Sequence, residues 1–99
     1  MTPRAEVMRF AEHMEAKLRE NDGIKEHWRV LHSFKPEWAL AHLLKHELDE
    51  LLEAINAIYD GTATAADVIR ECADVANYAM MIADLLDAGR PEATPRGTK

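Results

Sequence analysis

Apolar residues recur at helical spacing in three stretches of this chain, and turn signals separate them. Val7, Phe10, Met14 and Leu18 step by three and four, the period of one face of an α-helix. Thr2 and Pro3 supply an N-cap and a first helical residue. Asn21-Asp22-Gly23 is a stop signal, so the pattern predicts a first helix over 3–19. A second stripe begins near Pro36 and runs through Leu40, Leu43, Leu44, Leu48, Leu51, Leu52, Ile55 and Ile58 to Asp60-Gly61, which predicts a helix over 36–59. The third stripe is Val68, Ile69, Cys72, Val75, Ala76, Ala79, Ile82 and Leu86. Thr64 caps it, with Asp67 three residues on as a capping-box variant, and Gly89 stops it. No alternating β-branched run is present. The expected class is therefore all-α: an antiparallel helical hairpin plus an N-terminal helix.

A basic and aromatic connector, Ile24-Lys25-Glu26-His27-Trp28-Arg29, follows the first helix. The segment 90–99 contains Pro91, Pro95 and Gly97 without periodicity and is expected to be a disordered tail. One domain over 1–89 remains. The connection at 60–63 is tight, which makes the second and third helices antiparallel neighbours.

Four acids interrupt the two hairpin stripes. Glu47 and Glu50 form one i, i+3 pair, Glu71 and Asp74 the other, and residues three apart share a helix face. At about 100° per residue, Glu47 falls between Leu43 and Leu51, and Glu50 lies at the stripe's edge. Glu71 falls between Val75 and Tyr78, and Asp74 sits one step further round, near Met81 and Leu85. Glu50 stands roughly ten residues before the turn and Asp74 roughly ten after Thr64, so at about 1.5 Å rise per residue the pairs reach one level. Carboxylates aimed at a core are costly unless something positive meets them, and no Lys or Arg falls in either stripe. Hard cations such as Mg²⁺ or Mn²⁺ prefer oxygen ligands. One or two such ions suit four convergent carboxylates, and could position a polyphosphate and activate a water.

Composition narrows the partners. The chain has 99 residues and a net charge of −6, which argues against a nucleic-acid binder with its basic face. The single Cys72 excludes an intramolecular disulfide and reads as a buried small hydrophobe. The N-terminus lacks a signal-peptide apolar core, and no apolar run approaches membrane-spanning length. A cytoplasmic protein without a membrane partner is expected. The wide apolar faces of so short a chain suggest burial against other copies of itself.

Competing readings exist for each site residue. The acids could be ordinary surface groups paired with Lys or Arg across the hairpin. A ferritin-like di-iron site would need Glu-x-x-His motifs, and neither pair ends in His. His42 and His46 have i, i+4 spacing with Glu50 in the same row, which permits zinc, but they lie on the polar side of the wheel. Trp28, flanked by Lys25 and Arg29, suits a base and a phosphate as well as it suits packing. Trp38 favours packing against the first helix or a partner chain. Tyr78 faces the same way as Asp74 and can reach a metal-bound phosphate. Asn77 points further out, where a base contact would need a neighbouring subunit.

The order Glu47-x-x-Glu50, a twenty-residue gap, then Glu71-x-x-Asp74 resembles the signature of the MazG-like all-α nucleotide pyrophosphohydrolases. The stretch Glu71-Cys-Ala-Asp74-Val-Ala-Asn77-Tyr78-Ala-Met-Met-Ile-Ala-Asp84 is especially similar, and the resemblance covers roughly 14–87. It implies a four-helix-bundle-type assembly completed by oligomerisation, as a homodimer or homotetramer. The implied reaction is Mg²⁺-dependent hydrolysis of a nucleoside triphosphate to the monophosphate and pyrophosphate. By that resemblance Glu47, Glu50, Glu71 and Asp74 are metal ligands, one of them also serving the attacking water, and Lys25 and Trp28 match a segment that often precedes the first acidic pair. Many relatives carry a further Glu directly before that pair, where this chain has His46. The alternative is a non-catalytic helical module that retains the hairpin for assembly.

Overall fold

The structure, a computed structural model, describes residues 2–23, 27–30 and 35–87. Lys25, the Gly89 stop and the expected tail over 90–99 lie outside the described residues. Three α-helices and one short 3-10 helix account for the regular structure, and no strand occurs among the described residues. They are α1 (Ala5–Asn21), the 3-10 helix (Trp28–Val30), α2 (Pro36–Tyr59) and α3 (Ala65–Asp87).

The boundaries of α2 are those its apolar period predicts, whereas α1 is shifted by about one half-turn. The first helical bond of α1 runs from the Met8 N–H to the Arg4 carbonyl, 3.0 Å. Arg4, in an extended conformation, is thus the N-cap, and Thr2 and Pro3 stay outside. Arg4 offers no side-chain cap. At the other end the helix reaches Asn21, where the Asp22 N–H closes on the Arg19 carbonyl at 3.2 Å.

The α2–α3 turn is closed by its own backbone. The carbonyl of Ala57 accepts from the N–H groups of Thr62 (2.9 Å) and Ala63 (3.2 Å) and from the Thr62 hydroxyl (3.3 Å). Gly61 takes a φ of +76°, a left-handed conformation that costs a residue with a Cβ. α3 then starts on the expected reciprocal cap. The Thr64 N–H donates to Asp67 Oδ2 at 2.8 Å, and the Asp67 N–H donates to Thr64 Oγ1 at 3.2 Å. The Thr64 N–H, with help from the Thr64 hydroxyl, holds the Asp67 carboxyl below its ordinary pKa.

α3 is the central helix. It packs on α2 along the hairpin and on α1 and the 3-10 helix elsewhere, whereas α1 and α2 are not packed on one another. Three contacts set the direction of α1: Glu20 meets Arg70, Lys17 meets Asp74 and Met14 meets Asn77. Numbers fall along α1 as they rise along α3, so these two helices are also antiparallel. Small side chains permit the approach, with Ala73 fully buried and Asn77 4% exposed.

Two flanking helices do not cover every apolar side chain. Leu40 and Leu85 are buried, but Leu43, Leu48, Leu52, Ile55 and Ile58 of α2 stay exposed, Leu52 at 52%. Trp38 is also exposed (63%), its ring 6.4 Å from that of His42. Of the two partners expected for Trp38, the first helix or another chain, the first helix does not cover it, because α1 docks on α3 and not on α2. Cys72 is half-buried and unbonded. No helix among the described residues is long and apolar enough to cross a membrane.

The cap gives a direct test. Thr64→Ala removes the acceptor for the Asp67 N–H and should cost about 1 kcal/mol of stability in urea denaturation, whereas Thr64→Ser keeps the hydroxyl and most of the stability. Equal losses in the two variants would contradict the role given to that oxygen.

Candidate metal centre

The hairpin brings acids of both pairs together. Glu47, Glu71 and Asp74 each present one carboxylate oxygen, and the three oxygens lie within 4.8 Å of one another. All three residues are partly buried. Glu50 adjoins Glu47, and the exposed His46 has its Nε2 3.4 Å from Glu50 Oε1. Oε2 of Glu47 and Oε2 of Glu71 are buried with no hydrogen-bond donor among the described residues.

The electrostatics follow from that crowding. Burial raises the Glu47 pKa from 4.5 to about 7, aided by a proton shared with Glu50 and by the charges of Glu50, Asp74 and Glu71. Burial also raises that of Glu71, together with Asp74 and Glu50, against the opposing pull of Lys17 and Arg70. Tyr78 is pushed up by burial and by the charges of Glu47, Asp74 and Glu50, so its phenol keeps its proton at neutral pH. Clustered carboxylates, two of them with a buried oxygen that has no donor, are poor company for one another and good ligands for a hard divalent cation. The residues present fit such an ion.

Among the described residues, the cation within ion-pair distance of these acids is Lys17, which comes from α1 and not from the hairpin. Lys17 Nζ lies 3.4 Å from Asp74 Oδ1 and 3.5 Å from Glu20 Oε1. The hairpin stripes contain no Lys or Arg, but Lys17 is three residues past Met14, on the apolar side of α1. That spacing is the signal by which the chain announces it. Lys17 lines a recess of about 210 Å³ with Leu18, Asn21, Glu47, Asn77 and Tyr78, among others.

The remaining candidate residues are placed differently. Asn77 does not point outward: it is almost fully buried, and its Nδ2 donates to the Met14 carbonyl at 3.0 Å. An outward Asn77 requires α3 to have one covered face, whereas α1 covers a second. Tyr78 stands in the recess beside Asp74, as its position on the wheel implies. Trp28 is brought to Asp84 and not to the acids. Its Nε1 donates to Asp84 Oδ2 at 2.8 Å. Asp84 lies ten residues beyond Asp74, or about 15 Å along the helix axis. Arg29 clasps the same carboxylate through Nε and Nη2, each at 2.7 Å, and His27 stacks on the Trp28 ring at 3.9 Å. These donors hold Asp84 well below the usual carboxylate range. His42 and His46 are exposed and share no site with a third ligating side chain of the zinc type among the described residues.

Comparison with protein-family models, with curated proteins and with solved structures returns no match to this chain. The functional reading accordingly rests on the residues themselves.

The raised Glu47 pKa makes stability depend on pH. Between 4.5 and about 7 the folded chain retains a proton that the unfolded chain has released. Stability should therefore fall as pH rises through that window and level off above it. Glu47→Gln should flatten the decline in thermal melts recorded with chelator. A wild-type stability that climbed across the same window would contradict the burial of this carboxyl.

Proposed function

We propose that this protein is a metal-dependent nucleotide pyrophosphohydrolase of the MazG-like type, which converts a nucleoside triphosphate to the monophosphate and pyrophosphate in nucleotide-pool housecleaning. The observation that carries the reading is the meeting of Glu47, Glu71 and Asp74 oxygens at one level of a rigid hairpin, two of these residues having a buried oxygen without a donor. Glu47, Glu71 and Asp74 would hold the cation. Bound Mg²⁺ or Mn²⁺ supplies charge neutralisation for the phosphates and acidifies water at neutral pH. Glu50, beside Glu47 but outside the three-oxygen group, would orient the attacking water or take its proton. Tyr78, kept protonated, is a donor for a phosphate oxygen.

The recess of about 210 Å³ is small against the roughly 300–1,000 Å³ of ordinary ligand pockets. Trp28 and Asn77 are engaged with Asp84 and Met14 within the chain. Room and contacts for the base are therefore assigned to a second copy, in a homodimer or homotetramer. The exposed row Leu43, Leu48, Leu52, Ile55 and Ile58 on α2 is the surface available for that assembly. The same row favours a second reading, a helical assembly module without catalysis.

Pyrophosphate release from a panel of nucleoside triphosphates with Mg²⁺ or Mn²⁺ separates the two. Glu50→Gln and Glu71→Gln should each lower turnover by about 100-fold or more, the scale of losing a group that stabilises transition-state charge, with the helical circular dichroism unchanged. Cation at a hundred times its dissociation constant should also stabilise the fold by about 2.7 kcal/mol. Silence across the panel, with no metal-induced rise in melting temperature, would leave the module.

A further inference from the structure

Lys17 is tethered at its backbone and loosely held at its head. The helix that carries it is pinned on both sides: the Glu20 carboxylate takes two bonds from Arg70, 2.9 and 3.2 Å, and the Met14 carbonyl takes one from Asn77. Between those pins the Lys17 side chain is only 16% exposed. Its ammonium nevertheless makes no short bond. The distances to Asp74 and Glu20, 3.4 and 3.5 Å, are well outside the 2.7 Å of the Arg29–Asp84 clasp, whereas charge-assisted N–H···O bonds run at about 2.7–2.9 Å. Glu20 is already engaged by Arg70. What holds the Lys17 head in place is mainly the negative field of the site, and lysine is a compact charge on a flexible stem.

A divalent cation taking Asp74 would displace that ammonium, because two positive charges would then compete for one carboxylate. The stem lets the head turn within the recess that Lys17 shares with Asn21, Asn77 and Tyr78. We propose that Lys17 is an exchangeable counter-ion of the carboxylate site: its ammonium shares Asp74 until a divalent cation takes that carboxylate, and then grips a phosphate-bearing ligand held beside the cation. The proposal rests on the metal-site reading above and adds a residue on α1 to it. It assigns Lys17 two effects of opposite sign. The lysine weakens cation binding and strengthens phosphate binding, a split that a merely structural tie between α1 and α3 would not produce.

The test uses the full chain and two ligands measured separately. Mn²⁺ binding is followed by the electron paramagnetic resonance of the free ion. The Mn²⁺ complex of inorganic tripolyphosphate is then titrated calorimetrically into Mn²⁺-saturated protein. Lys17→Met should bind Mn²⁺ about fivefold more tightly or better, a coupling of ordinary size between sites. It should bind the tripolyphosphate complex about tenfold more weakly or worse, the scale of one charged contact. Lys17→Arg, which keeps the charge, should stay near wild type in both. If Lys17→Met loses its helical circular dichroism, Lys17→Gln must show the same opposed shifts. Unchanged or weaker Mn²⁺ binding, or undiminished tripolyphosphate binding, would overturn the role of Lys17 while leaving the metal site standing. Failure of the wild-type chain to bind Mn²⁺ would overturn both.

Discussion

Repulsion among carboxylates at one level of a helical hairpin governs this structure. The turn after α2 sets the register that makes them meet, through the bonds on the Ala57 carbonyl and the left-handed Gly61. Once they meet, burial and the charges of the neighbouring acids raise the proton affinity of Glu47 and Glu71, that of Glu47 to about 7. The docking of α1 answers it. Lys17 approaches Asp74 from the side the hairpin leaves open, and Arg70 reaches back from α3 to Glu20. The α1–α3 contact is accordingly polar at its centre, with Asn77 bonded to a backbone carbonyl instead of leucine against leucine. Exposed ion pairs such as Arg70–Glu20 contribute little by themselves. Their function here is directional, since they fix which residue of α1 faces the acids.

Where the polar contacts position, the apolar ones are left incomplete. Among the described elements, α3 has neighbours on two sides and buries Ala73 and Leu85, while α2 packs on α3 and exposes much of its leucine row. A helix with so wide an apolar stripe gains most of its stability from what covers that stripe.

Much of this is legible in the chain. The period of apolar residues marks α2 and α3 almost to the residue, and Thr64 with Asp67 forms the expected cap because both partners of a capping box are local. The carboxylate meeting is also legible, since counting from a tight turn is reliable on rigid helices. What escapes depends on α1. A helical wheel describes one face at a time, and nothing local tells that α3 is covered on a second face. The wheel of α3 alone therefore turns Asn77 outward, and the hairpin stripes say nothing of Lys17, although it follows Met14 by three positions. Trp28 escapes for a similar reason: its partner, Asp84, is 56 residues away.

The grip of Trp28 and Arg29 on Asp84 divides the path between α1 and α2. The chain must travel from Asn21 to Pro36, and without an anchor it would close as one long loop. Pinned to α3 midway, it becomes two short spans, each with its own modest closure entropy. The crossing from one side of the central helix to the other is thereby given a fixed waypoint. Changes in length on either side of that waypoint can then be absorbed without moving the helix that brings Lys17 to the acids.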